Sequence, residues 1–237
     1  MARRADGLSS ILAPVYFRRM RTLIHNAFDP ASRAVRLTLE EKRLAYRLIA
    51  LDPAALDDVA RAQLAAANPA MSLPVLIDET SSGEEASICP ATAAIEYLDE
   101  IQPDPTLFPH TAAGRAEARR LVSWFLQKFD PETQALATTS DERARADARA
   151  AMRWHFDYMQ WLLERRAHLA CDRLTAADLA AVACISVHDY FGNAPWKDFP
   201  EIADWYRRIK CRPSMRAVLL DAHPRRAPAL HYHDLDF

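Results

Sequence analysis

The chain changes character once, close to Pro109. Before it, short apolar runs alternate with helical stretches; after it, apolar residues recur only at helical spacing. A chain of 237 residues divided in this way reads as an α+β protein, a mixed unit followed by an all-helical one. The boundaries fall at residues 20–103 for the first unit and 110–222 for the second. A tail covers 223–237 and a leader 1–19.

The first unit predicts the order β-α-β-α-β-β-α. Thr22-Leu23-Ile24-His25 reads as a strand. Asp29 offers an N-cap carboxylate, and Pro30 takes the first helical position, where its missing N–H costs nothing. Val35 and Leu39 then recur four residues apart. Leu44 to Leu51 reads as a strand, and the Ala-rich stretch 53–67 as one helix stopped by Asn68-Pro69. Val75-Leu76-Ile77 and Ala86–Ile88 read as strands around a turn at Gly83. Pro90 opens a helix through Leu98 that the Pro103–Pro105 region ends.

In the second unit, residues 112–130 carry Leu121, Val122, Phe125, Leu126 and Phe129 at helical spacing. Residues 141–169 carry Met152, Phe156, Met159, Leu162 and Leu163 on one face, with Trp154, Tyr158 and Trp161 on another. Such an aromatic stripe belongs to a core or a subunit interface more often than to a cofactor pocket. Leu174-Thr175-x-x-Asp178-Leu179 reads as a capping box with a hydrophobic staple, opening an apolar helix over 175–191. Ile202, Trp205, Tyr206 and Ile209 mark a last amphipathic helix.

Several function classes are excluded. None of the four glycines lies within six residues of another, so no Gly-rich phosphate loop exists. A net charge of -2 argues against nucleic acid as a partner, and Asp141–Arg149 mixes both signs as a solvated helix face does. No apolar run is long enough for stable membrane insertion. Cys89, Cys171, Cys184 and Cys211 form no C-x-x-C pair and read as reduced thiols, mostly buried. Residues 1–19 carry basic pairs around a short mixed middle, without the apolar stretch of a twin-arginine signal. They read as a disordered leader or as sequence upstream of a start at Met20.

From Arg21 to about Met215 this organisation resembles the cytosolic glutathione transferases, a thioredoxin-like domain followed by an all-helical bundle. Four stretches carry the resemblance: Asp29-Pro30-Ala31-Ser32-Arg33-Ala34-Val35-Arg36, Asn68-Pro69-Ala70 with Leu73-Pro74-Val75-Leu76, Ile88–Leu98, and Asp172–Asp178. The resemblance implies a cis bond at Leu73-Pro74 and a strand edge where Leu73 would pair with the cysteinyl part of glutathione. A plain fold-defining turn explains the same residues. The position that holds the tripeptide sulfur in many members falls on Asp29, whose carboxylate opposes a thiolate. Ser32, one turn along, is the weak candidate for a catalytic hydroxyl. The acidic-then-Ser pair that holds the γ-glutamyl group reads Pro90-Ala91, which leaves only the Ala91 N–H to meet an anion. Two lost charge-assisted contacts, at about 1.5–3 kcal/mol each, weaken glutathione binding by a few powers of ten. Asp29, Ser32, Leu73, Pro74, Pro90 and Ala91 thus read as a vestigial glutathione site. Ordinary transferase activity is not expected, and no cofactor or metal is. The alternative is a glutathione-dependent enzyme with an atypical thiol site.

The second half carries a narrower resemblance. Trp154-His155-Phe156-Asp157-Tyr158, Asp189-Tyr190-Phe191-Gly192, Pro195-Trp196, Asp204–Ser214 and the terminal His231–Phe237 resemble the glutathione-transferase-like cell-division proteins of alphaproteobacteria. Met71, where Gly is common, and Pro90-Ala91 depart from the pattern. The resemblance implies a cytoplasmic, non-catalytic homodimer that binds FtsZ polymers at the division site and promotes their curvature and constriction. In the tail, Leu235 and Phe237 alternate with Asp234 and Asp236, so an extended segment would separate apolar from acidic faces. Tyr232, Asp234, Leu235, Asp236 and Phe237 are the candidate partner contacts, unless the tail folds back on its own domain. His231-x-His233 with Asp234 lacks the fourth ligand of a metal site.

Overall fold

The computed structural model describes residues 20–79 and 83–235. The leader 1–19 and the candidate residues Asp236 and Phe237 lie outside the described residues.

The first unit comprises β1 (Arg21–His25), α1 (Pro30–Glu41), β2 (Tyr46–Ala50), α2 (Asp58–Ala67), β3 (Val75–Glu79), β4 (Glu85–Ile88) and α3 (Ala91–Ile101). This is the order the sequence predicts. The sheet runs β2-β1-β3-β4, with β1 parallel to β2 and antiparallel to β3. Successive residues of a strand face opposite sides. Leu23 and Leu76 therefore enter the main core with Val35, Leu39 and Ile95, whereas Ile24 and Val75 pack with Leu64 of α2 in a small second core.

The second unit is helical throughout: α4 (Ala112–Trp124), α5 (Asp130–Thr133), α6 (Ala135–Thr138), α7 (Glu142–Leu163), α8 (Ala176–Tyr190), α9 (Pro200–Lys210) and α10 (Met215–Leu219). Every residue of α8 is buried. The main core runs without a break from the sheet across α1 and α3 into α4, α7, α8 and α9. The capping residues do more than start α8. One Asp178 oxygen accepts the Thr175 N–H and hydroxyl, and the other accepts the Leu169 N–H and the Trp205 indole N–H. A fully buried carboxylate thus meets four donors, which offsets its desolvation.

Several local expectations change. The stretch 53–67 is a 3₁₀ turn at Pro53–Ala55 and then α2, because the Asp57 carboxylate caps the Ala60 N–H and restarts the chain as a new helix. The helix expected over 112–130 widens into a π turn at Phe125–Phe129, where the Asp130 N–H bonds the Phe125 carbonyl. Pro131 follows; it brings no N–H and its ring crowds the preceding turn. The cysteines are free, but only Cys184 is buried and Cys211 is exposed, which corrects the expectation of mostly buried thiols. The tail does not run extended from His231: Tyr232 N–H bonds the Ala229 carbonyl and Asp234 N–H the His231 carbonyl, which makes a turn. Among the described residues no helix is long and apolar enough to cross a membrane.

Candidate functional site

The turn between β1 and α1 places Asp29 at the helix N-cap, as its position before Pro30 predicts. Its Oδ2 accepts the Ser32 N–H at 2.8 Å and the Ser32 hydroxyl at 2.6 Å. The Asn26 N–H in turn donates to Ser32 Oγ at 3.2 Å. Ser32 is fully buried, so the hydroxyl proposed as a thiol partner is already engaged inside the cap.

Sequence reasoning missed a second carboxyl whose charge is coupled to this turn, Asp130 at the start of α5. Burial, and then the Asp29 charge, push it up to about 7. Burial also raises the Asp29 carboxyl, while the Ser32 bonds pull it back. A thiolate needs donors, whereas this end of the fold gathers two carboxyls. No periodicity or motif in the sequence signals Asp130; only folding couples its charge to that of Asp29.

The other positions that the resemblance marks lie before β3 and at the start of α3. Leu73-Pro74 is cis and leads into β3. Pro90 is the N-cap of α3 and provides no side-chain cap, while Ala91 is buried. Pro90 and Ala91 thus bring neither an acidic nor a hydroxyl side chain to the α3 start, where Thr92 carries the first hydroxyl.

Phe28, beside Asp29, closes the turn against the second unit. Its ring meets Tyr190 and His223 edge-on, with centroids at 4.8 and 5.1 Å, and the Arg33 guanidinium lies 4.7 Å from it.

The tail residues split. Tyr232 is buried to 0% exposure, so its ring anchors the tail instead of facing outward. Asp234 is exposed, and Leu235 is 42% exposed. Leu235 lines a hollow with Asp204, Arg207, Arg208 and Cys211. Arg207 also borders a larger, mostly apolar cleft of about 670 Å³ with Pro195, Trp196, Pro200, Ala203 and His231. His231 Nε2 engages the buried Asp189 at 2.8 Å, which makes it a structural residue here. Among the described residues no group of three or more His, Cys, Asp or Glu is placed to hold a metal.

The aromatic stripe of α7 is half outside. Trp154 and Trp161 are each 51% exposed. Trp124 stacks on Trp154 at 5.4 Å, and its indole N–H donates to His155 Nδ1 at 3.2 Å. Fully buried His155 meets Glu132 through Nε2, so the relay holds Trp124 in place. Lys128 and Arg165 lie over the exposed rings.

A thioredoxin-like sheet joined to a helical bundle defines the class. The profile for the glutathione S-transferase N-terminal domain matches residues 23–106, and that for its C-terminal domain matches residues 124–213. The chain belongs to the glutathione S-transferase family. Within the family it is 40% identical to FtsZ-localized protein A of Caulobacter vibrioides over 234 residues, 92% of this chain and 98% of that one. The solved structure of FzlA from C. crescentus superposes with a TM-score of 0.83, over 92% of this chain and 100% of that one. A glutathione S-transferase from Rhodospirillum rubrum F11 superposes with a TM-score of 0.82 at 38% identity, with the same coverage.

Proposed function

We propose that this chain binds FtsZ polymers and promotes their curvature and constriction in cell division, as a non-catalytic member of its family. The likeness to FtsZ-localized protein A, over 98% of that protein's length, carries the reading. The chemistry of the vestigial site supports it. Asp29 and the charge-coupled Asp130 would oppose a thiolate at this turn, Ser32 is engaged, and Pro90-Ala91 offers neither charge nor hydroxyl. The exposed end of the tail supplies a contact: Asp234 and Leu235 face outward, with Asp236 and Phe237 completing the apolar-acidic pattern.

The protein acts as a cytoplasmic homodimer at the division site. Exposed Trp154 and Trp161 on one stretch of α7 offer aromatic anchors for a second copy, Trp154 stacked on Trp124, which the His155–Glu132 relay holds. Neither nucleic acid nor a stable membrane anchor is part of the reading, nor is glutathione as a cofactor.

The test is co-pelleting with GTP-assembled FtsZ, using the full chain and one ending at His233. The full chain is expected in the pellet and the shortened one in the supernatant. If both pellet, the tail is not the contact. If neither pellets while FtsZ polymers form, and the full chain is retained on immobilised glutathione, the protein is an enzyme with an atypical thiol site.

A further inference from the structure

The segment after α10 has no regular secondary structure, yet it is tied down at successive points. At its start, Asp221 accepts two bonds from Arg36 of α1, at 2.8 and 3.0 Å, and lies 3.7 Å from Arg33 Nη2. Next, His223 stacks edge-on against Phe28 and Phe191, and its N–H donates to the Tyr190 hydroxyl. That hydroxyl donates onward to the Arg226 carbonyl at 2.9 Å, while the Arg226 guanidinium lies 4.0 Å from the Phe191 ring. Further along, the Ala229 N–H bonds the Tyr190 carbonyl. Finally, Tyr232 enters the interior edge-on to Tyr190, at 4.9 Å, beside α10 and Arg33.

These anchors engage both units. Arg33, Arg36 and Phe28 belong to the first; Tyr190 and Phe191 belong to the second. Arg33 is where they converge. It is fully buried, donates to the Ala27 carbonyl and to Ser186 Oγ of α8, and keeps Nη2 without a hydrogen-bond acceptor. Its remaining compensation comes from the Phe28 ring at 4.7 Å and from Asp221 of the segment at 3.7 Å. A buried cation is tolerated only while its partners stay in place.

We propose that residues 221–232 form an interdomain strap, latched by Tyr232, which holds the β1–α1 turn and α1 against α8. Closure of the domain junction and seating of the strap are then one equilibrium. Withdrawing Tyr232 opens the space beside Arg33 and Tyr190 and loosens α1 from α8. The same latch fixes the base from which Asp234 and Leu235 emerge. The strap is a property of the chain alone and does not depend on the division reading.

Hydrogen exchange read by mass spectrometry on the full chain tests this without any partner. Tyr232→Ala is expected to raise exchange about ten-fold or more in peptides from α1 as well as in 221–235. Arg226→Ala alters an exposed anchor without opening a cavity, and is expected to produce a smaller rise in the same two regions. It decides the matter if Tyr232→Ala does not fold. Faster exchange confined to 221–235, or no change anywhere, overturns the strap: the segment would then be a passive covering whose loss leaves the junction closed.

Discussion

Replacing Asp130 by Asn removes a charge that the fold opposes. Burial and the neighbouring Asp29 raise the Asp130 carboxyl from 3.8 to about 7, and no hydrogen bond supports its ionised form. Below about pH 4 the carboxyl is protonated whether the chain is folded or not, so it carries no penalty. Between pH 4 and 7 the unfolded chain ionises while the folded one keeps its proton, and stability falls as pH rises. Above about pH 7 the full penalty is present. A tenfold change in proton affinity is worth about 1.36 kcal/mol, which sets a ceiling of about 4 kcal/mol at pH 8 and about 1.5 kcal/mol at pH 5. Partial contact with water reduces both. Asn has the same shape, carries no charge and breaks no hydrogen bond of the carboxyl. Asp130→Asn is therefore expected to stabilise the protein by about 1 kcal/mol at pH 5 and by about 3 kcal/mol at pH 8. Urea denaturation of both proteins at the two pH values measures this. An equal effect at both, or a loss of stability at pH 8, would refute the account of two opposed carboxyls at this turn.

Two further substitutions probe the frame. Arg43 follows α1 with φ 53°, a left-handed conformation that glycine adopts without a Cβ penalty. Arg43→Gly is expected to raise stability by about 0.5–1 kcal/mol in thermal or urea unfolding, and a loss would show that the exposed side chain contributes more than its backbone strain costs. Lys210 is fully buried against Asp189, which also accepts from Trp196, Tyr206 and His231. Lys210→Met leaves that carboxylate without its cation and is expected to cost about 3 kcal/mol; a cost below about 1 kcal/mol would mean that the other donors suffice.

Local rules made much of this protein legible. The cap at Asp29-Pro30, the box at Thr175–Asp178 and the helical spacing of α9 each depend on neighbours within one or two turns, and each formed as predicted. Where two local signals compete, the sequence is less clear. The stretch 53–67 contains both a helical composition and a second cap at Asp57, and the cap divides it. Tyr232 shows another limit. An alternating apolar-acidic tail reads the same whether it extends or turns inward, and the space beside Tyr190 decides that this ring goes inside.

The sequence by itself determined the two-unit order, the order of elements in the first unit, and the resemblance that names the family. These are properties of residue type and short spacing. The tertiary structure alone decided which distant groups meet. Asp130 lies about a hundred residues from Asp29, and Asp221 is 185 residues from Arg36. Their energies arise from burial and from close approach of charges, which no local pattern encodes. Short spacing is legible in residue type, whereas the Arg36–Asp221 pair and the burial of Asp130 exist only in the folded chain.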